Sequence, residues 1–150
     1  MSGFNLEHFL PYLLNQAAEA SSLAFQQVYK DRYGMLRNEW RVLFHLGMYG
    51  QMTARGIAER AQLHKTKISR AVAKLEARRF LTRTRDGADR RVEHLALTAA
   101  GRAAFEDLRQ VAERYEQALV ADLAPHQVQQ LRDLLAQLGQ QRVSDPLRGK

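Results

Sequence analysis

Residues 53–93 read TARGIAERAQLHKTKISRAVAKLEARRFLTRTRDGADRRVE. We call this stretch the basic module, because it holds 12 basic and 5 acidic residues. Its net charge of +7 equals the formal charge of the whole 150-residue chain, so the residues outside it are neutral in sum. A neutral body that carries one localised basic segment is typical of a nucleic-acid-binding protein.

The apolar pattern of the basic module predicts two helices joined by a tight turn. Thr53 is a suitable N-cap for a first, short helix, and a second helix is predicted over residues 64–79. In the second helix Ile68, Val72 and Leu75 recur at spacings of four and three, so they share one apolar face. Hydroxyls and long cations lie around the other side, where they suit a DNA major groove; the alternative is a solvated basic surface. The candidate DNA contacts on this helix are Lys65, Thr66, Lys67, Ser69, Arg70 and Lys74.

A basic β-hairpin is predicted after the second helix, over residues 81–98. Strand-forming residues fill Leu81–Arg85, the run DGAD at 86–89 is typical of a turn, and Val92–Thr98 is the predicted return strand. Cations at the tip of such a hairpin can enter a minor groove, although a solvated turn that protects a sheet edge is the alternative. The candidate DNA contacts on the hairpin are Arg85, Arg90 and Arg91.

A spaced set of residues joins the second helix, the hairpin and the segment after it: Leu75, Glu76, Arg83, Asp89, Arg90, Arg91, Leu97, Thr98 and Gly101. This set resembles the winged helix-turn-helix signature of the MarR family, the multiple-antibiotic-resistance type of transcriptional regulator. The resemblance covers nearly the whole chain, because the length and the flanking helices fit as well.

Two positions depart from the family pattern. Arg79 stands where the family usually has a left-handed glycine that ends the second helix, which predicts either another C-cap or a small backbone strain. Gly56 lies inside the first short helix, which it should weaken by about 1 kcal/mol relative to alanine. Neither departure removes a candidate DNA contact. Asp89 is expected to brace the hairpin through an arginine, because its charge would repel phosphate.

Helical patterns flank the basic module on both sides. On the N-terminal side they cover Leu6–Arg32, where Pro11 favours a helix start near Leu10, and Met35–Met48. The predicted C-terminal segments are a helix from Thr98 to about Leu123, a helix from His126 to about Gln140, and a frayed tail over residues 144–150.

The apolar faces of the first and last helices are wider than the basic module can cover. We therefore expect a homodimer with two-fold symmetry, which the resemblance also implies; a monomeric helical bundle is the alternative. The expected fold class is mostly α with a small β-wing. Its parts are an N-terminal dimerisation helix (1–34), a winged helix-turn-helix domain (35–98, with the wing at 81–98) and C-terminal dimerisation helices (99–150).

Composition excludes several other classes of protein. The chain has no cysteine, which excludes disulfides, thiolate zinc sites and cysteine oxidation as a sensing mechanism. No apolar run approaches ~18 residues and no signal peptide is apparent, so we expect a cytoplasmic protein that does not enter a membrane. We expect no metal, no cofactor and no enzymatic activity, since phosphate-loop and nucleophile motifs are lacking and the histidines are scattered. These histidines are His8, His45, His64, His94 and His126.

The predicted function is that of a sequence-specific regulator that binds double-stranded DNA. The resemblance implies a repressor that binds a palindromic operator as a dimer and is released by a small, often aromatic or acidic effector. Simple core packing of Trp40 and surface positions for its neighbours are the alternative to an effector site. The alternative function is a helical-dimer interaction protein whose basic module docks an acidic protein partner or binds DNA non-specifically. The candidate effector residues are Tyr12, Arg37, Trp40, Arg41 and His45.

Overall fold

The computed structural model describes residues 3–140, which form six α-helices and a small three-stranded antiparallel sheet. The helices are α1 (Leu10–Tyr33), α2 (Arg37–Tyr49), α3 (Ala54–Ala61), α4 (Lys65–Ala77), α5 (Ala99–Leu119) and α6 (Pro125–Gly139). The strands are β1 (Met52–Thr53), β2 (Leu81–Arg85) and β3 (Glu93–Leu97), and a short 3₁₀ turn over Leu6–His8 precedes α1. The expected fold class, mostly α with a small β-wing, is confirmed. The predicted tail over residues 144–150 lies outside the described residues.

The chain divides into two compact units between Arg114 and Tyr115. The first unit contains α1 to α4, the sheet and most of α5, and the second contains the end of α5 and α6. Within residues 3–140, no helix combines the length and the apolar character that a membrane span requires.

The core of the first unit forms around the apolar face of α4, which packs against α2 and α3. Ile68, Val72 and Leu75 are buried, as their spacing predicts. They meet the buried residues of α2, among them Leu43, and Ile57 of α3. Each such side chain contributes roughly 1.5–3 kcal/mol when it leaves water, so this contact fixes the rotation of α4 about its axis.

The sheet has the strand order β1-β3-β2, with β3 paired antiparallel to both neighbours. The hairpin pairs Leu81 with Leu97, and the opposite edge of β3 pairs Leu95 with Met52. The sequence predicts β2 and β3 but not β1, because two residues are too few to show an alternating pattern. Through β1 the hairpin is tied back to the start of α3.

The two helices of the basic module begin at side-chain caps. Thr53 Oγ1 accepts a hydrogen bond from the Gly56 amide at 3.0 Å, which confirms the predicted cap of α3. His64 caps α4, since its Nδ1 accepts from the Thr66 amide at 3.1 Å. Between the helices the chain turns through Gln62 in a left-handed conformation, with φ of 55°.

The chain leaves α4 through Arg79, which has a left-handed φ of 65°. The Arg79 amide donates to the Glu76 carbonyl at 2.9 Å, and the Phe80 amide donates to the Leu75 carbonyl at 2.9 Å. This is the Schellman pattern with an arginine where glycine is preferred. Of the two outcomes that the sequence allowed at Arg79, the structure has the strained backbone.

The start of α5 is tied to this strained end of α4. The Thr98 hydroxyl donates to the Arg79 carbonyl at 2.6 Å, and its oxygen also accepts from the Gly101 amide at 3.0 Å. Thr98 is therefore the N-cap of α5, at the residue where the sequence predicts this helix to begin. A Cβ atom at Gly101 would overlap the Phe80 carbonyl oxygen, so only glycine permits this close approach.

The substitution Arg79→Gly is expected to stabilise the protein by roughly 0.5–1 kcal/mol, because it removes a left-handed penalty that exceeds the entropic cost of glycine. The neighbouring change Ala77→Gly is the matched control and should destabilise by a similar amount, since Ala77 has an ordinary helical backbone. Urea unfolding at one fixed protein concentration measures both. Equal destabilisation by the two glycines would show that Arg79 is not strained.

Candidate nucleic-acid interface

The outward face of α4 carries all six of its candidate DNA contacts. Because Ile68, Val72 and Leu75 are buried, the remaining sides of the helix face solvent. The six candidates are exposed, and within residues 3–140 their side chains form no hydrogen bond or ion pair. They are Lys65, Thr66, Lys67, Ser69, Arg70 and Lys74. Uncompensated cations and free hydroxyls at one surface can bind phosphates and the edges of bases.

One edge of α4 borders a buried carboxylate. Glu39 of α2 is only 4% exposed, and it shares a groove of about 250 Å³ with Lys67, Arg70 and Lys74. A buried carboxylate needs compensating positive charge nearby. Lys67, Arg70 and Lys74 supply positive charge around this groove, although within residues 3–140 none of them forms an ion pair with Glu39.

The wing turn is ordered mainly by Asp86. One oxygen of its carboxylate accepts from the amides of Ala88 and Asp89 at 3.0 and 2.9 Å, and the other lies 3.0 Å from His94 Nε2. The hydrogen bond from His94, helped by these two amides, lowers the pKa of Asp86 below its usual value. Asp86 therefore stays ionised and holds the turn closed.

The arginines of the wing extend from this turn into solvent. Arg85 and Arg90 are exposed, and in the described chain neither side chain has a hydrogen-bonding or ion-pairing partner. The Arg91 amide and Nε donate to Asp89 Oδ1 at 3.0 and 3.3 Å, yet the Arg91 side chain remains 92% exposed. Asp89 thus binds an arginine, as predicted, and Arg91 can still reach an external anion.

Arg83 of β2 connects the wing to α4. Its Nε lies 3.2 Å from Glu76 Oε1 on α4, and its Nη1 lies 3.4 Å from Glu93 Oε2 on β3. With a carboxylate on each side, Arg83 is a brace between helix and wing and is not a free cation.

A cleft of about 490 Å³ lies between α3, α4 and the wing. Three arginines line it, together with Thr53, Ser69 and Glu93; the arginines are Arg55, Arg83 and Arg91. The Arg55 side chain is 90% exposed, and its ion-pair partner among residues 3–140 is Glu59 of its own helix, at 3.1 Å. Arg55 is a further candidate contact that the sequence does not indicate, because a cation on a short helix shows its direction only once α3 is placed beside the wing.

A separate cluster of candidate effector residues lies on α2 and faces α1. The Trp40 ring stacks on Tyr29 at 5.8 Å and meets Phe25 edge-on at 5.4 Å. Burial raises the pKa of the Tyr29 hydroxyl, and the Arg37 guanidinium beside it partly offsets that effect. Trp40 Nε1 is buried and has no hydrogen-bond partner among the described residues.

Of the other candidate effector residues, three lie on α2 with Trp40, and Tyr12 lies apart from them on α1. Arg41 and His45 follow on α2, where His45 Nδ1 lies 2.6 Å from the Arg41 carbonyl oxygen. Arg37 donates to Ser22 Oγ of α1 at 3.1 Å. Tyr12 lies about 20 Å along α1 from Phe25, at 1.5 Å per residue, and forms no hydrogen bond or ring contact with the other four.

Comparisons with known proteins agree with the winged helix-turn-helix fold. A family model described as MarR family matches residues 33–92. The HTH-type transcriptional regulator FarR of Neisseria gonorrhoeae is 27% identical over 135 residues, which cover 89% of this chain and 90% of that protein.

Two solved structures share the fold. A structure of Bordetella bronchiseptica BpsR, which concerns regulation of its DNA binding by 6-hydroxynicotinic acid, has a TM-score of 0.85 at 23% identity and covers 94% of this chain and 100% of that chain. A mutant of MarR from E. coli complexed with operator DNA has a TM-score of 0.80 at 19% identity and covers 92% of this chain and 99% of that chain.

Proposed function

We propose that this chain is a winged helix-turn-helix transcriptional regulator of the MarR family, whose model matches residues 33–92, and that it represses transcription by binding a palindromic operator as a homodimer. The observation that carries this proposal is the outer face of α4, whose cations and hydroxyls are exposed and unpaired within residues 3–140. A protein that acts on DNA in this way would work in the cytoplasm.

In the proposed complex, α4 enters the major groove. Arg70 and the lysines of α4 can donate to guanine O6 and N7, while Thr66 and Ser69 reach base edges or phosphates. The wing lies beside the helix, so that Arg85, Arg90 and Arg91 reach the minor groove or its flanking phosphates. Arg55, at the mouth of the cleft between α3 and the wing, is an additional phosphate contact.

The dimer is proposed from the apolar surface that each unit leaves exposed. On α1, Leu10 is 60% exposed and Leu23 is 60% exposed. On α6, Leu131, Leu134 and Leu138 share one side of the helix and are 43%, 57% and 44% exposed. Surfaces of this kind mark interaction sites, and a two-fold partner would cover the same surfaces on both copies. Two copies of α4 would then read half-sites about one helical turn apart.

The experiment that tests the proposed function is binding of the purified protein to duplexes tiled across the DNA upstream of its own gene. Fluorescence anisotropy at about 150 mM salt should find one palindrome bound at least ~10³-fold more tightly than random duplex. A selection of bound genomic fragments extends the search if the operator lies elsewhere. If no sequence is preferred in either search and binding collapses with salt, the basic module docks an acidic partner or binds DNA non-specifically.

Two arginine substitutions should separate base reading from phosphate contact. Arg70→Ala is expected to cost roughly 1–3 kcal/mol on the operator and less on random duplex, because a base contact is lost. Arg90→Ala should weaken binding to both duplexes. It should also reduce the slope of log affinity against log salt concentration by about one unit. Arg114→Ala, on α5 outside the basic module, is the control and should change neither. An equal loss on both duplexes for Arg70→Ala would make Arg70 a phosphate contact.

We further propose that a small aromatic acid is the effector and binds beside α2. Trp40 Nε1 is a buried donor that lacks an acceptor among the described residues, and an unsatisfied donor of this kind costs about 1–3 kcal/mol. A ligand carboxylate or phenolate could accept from it, with Arg37 or Arg41 supplying positive charge and His45 a polar handle. Tyr12 lies too far along α1 to contact the same ligand within one protomer, so it could contribute only from elsewhere in the dimer. The regulation of BpsR by 6-hydroxynicotinic acid, itself an aromatic acid, supports this ligand class.

Because the chain has one tryptophan, its fluorescence reports on Trp40 alone. Benzoate-type acids are expected to change this fluorescence and to release the operator duplex over the same concentration range. The corresponding neutral amides are the matched control and should do neither, and Arg37→Gln should weaken the acid about tenfold, as loss of one charged hydrogen bond would. No response to any acid, with DNA release also unaffected, would rule out this site.

A further inference from the structure

Three helices of the first unit meet at Tyr33, the last residue of α1. Its hydroxyl donates to Asp107 Oδ2 of α5 at 2.5 Å, and its carbonyl accepts from Nη1 of Arg78, directly after α4, at 2.6 Å. Its ring also meets Phe80 edge-on, with the centroids 6.1 Å apart. One residue therefore contacts α5 with its hydroxyl and the end of α4 with its backbone and ring.

The carboxylate of this junction is held from a second side. Arg32 Nη1 donates to both oxygens of Asp107, at 2.9 and 3.0 Å. Burial, with Asp107 as neighbour, raises the pKa of Tyr33 to about 12, and the Tyr33 hydroxyl, with Arg32, lowers the pKa of Asp107. The tyrosine stays protonated and the aspartate ionised at ordinary pH, so both groups keep the protonation states that the hydrogen bond between them requires.

At the same junction, the Arg78 side chain packs closely against the end of α1. The Arg78 guanidinium lies against Gly34, where a Cβ atom would overlap its Nη1. Gly34 also has a left-handed φ of 64°, which ends α1. Because Gly34 has no side chain, the Arg78 guanidinium can lie directly against the end of α1.

We propose that Tyr33 is a positioning residue, which fixes α4 relative to α1 and α5 and thereby sets the half-site spacing that the dimer accepts. This inference rests on the proposed function, in which α1 lies in the dimer interface and α4 reads DNA. One inserted base pair moves a half-site by about 3.4 Å along the duplex and about 34° around it. A dimer with rigidly held α4 helices cannot follow that displacement, whereas a dimer with loosely held helices can.

Tyr33 contacts Asp107, Arg78 and Phe80 and none of the candidate DNA contacts, so its role is separable from binding itself. Removing its hydroxyl should leave the affinity for random duplex and the salt dependence unchanged, because no cation is lost. The substitution should change only the ratio of affinities for operators of different spacing.

The test uses the full-length protein and three operator duplexes, one with the preferred spacing and two with the spacing changed by one base pair in either direction. We expect Tyr33→Phe to reduce the discrimination between these duplexes about tenfold, the factor that corresponds to one hydrogen bond to a charged group. Tyr49→Phe is the matched control, because the Tyr49 hydroxyl is exposed and forms no hydrogen bond within residues 3–140. It should discriminate as the wild type does.

Two substitutions of Asp107, the acceptor, test whether the hydrogen bond itself accounts for the effect. Asp107→Asn still offers an oxygen to the Tyr33 hydroxyl and should retain most of the discrimination. Asp107→Ala offers none and should lose it as Tyr33→Phe does.

The possible failures of the inference are distinguishable. If the wild-type protein prefers no spacing, both the proposed function and this inference are overturned. If it has a preferred spacing that Tyr33→Phe retains, only this inference is overturned. A uniform loss of affinity at all spacings, with discrimination unchanged, would make Tyr33 a stabilising residue and would also overturn it.

Discussion

The burial of one face of α4 is the constraint on which the rest of the structure depends. Ile68, Val72 and Leu75 lie in the core between α2 and α3, and their burial leaves one rotation of the helix about its axis. That rotation turns Ser69 and Arg70 outward, and within residues 3–140 their side chains form no hydrogen bond or ion pair. The proposed DNA-binding surface is therefore determined by the apolar residues on its reverse side, and polar residues can vary on a scaffold that does not depend on them.

Net charge alone overstates how many cations are available to DNA. Arg83 lies between Glu76 and Glu93, and Arg78 binds the Tyr33 carbonyl, so both serve the fold. The exposed cations of α4, with Arg85 and Arg90 of the wing, have no such partners among the described residues. The basic module thus contains two kinds of cation, those that join its elements and those that face outward, and the first kind sets the geometry in which the second acts.

Features that depend on neighbours along the chain were predicted from the sequence, and features that depend on distant partners were not. The cap at Thr53, the apolar face of α4 and both hairpin strands follow from local spacing and residue type, and all are present. The pairing of β1 with β3, the burial of Glu39 beside α4 and the brace at Arg83 each require an element that is remote in sequence. A single sequence identifies which residue types occur and at what spacing, but not which carboxylate each arginine will meet.

The strained end of α4 is a local feature that determines contacts between elements remote in sequence. The left-handed Arg79 is unfavourable by itself, yet it turns the chain so that Phe80 and Leu81 enter the sheet directly after the helix. The same turn brings the Arg79 carbonyl to the Thr98 hydroxyl and the Phe80 carbonyl against Gly101, which places the start of α5 beside the end of α4. Asp107 lies two turns further along α5, where it meets Tyr33. A local backbone conformation that costs about 1–2 kcal/mol is thus maintained because the approach of three helices depends on it.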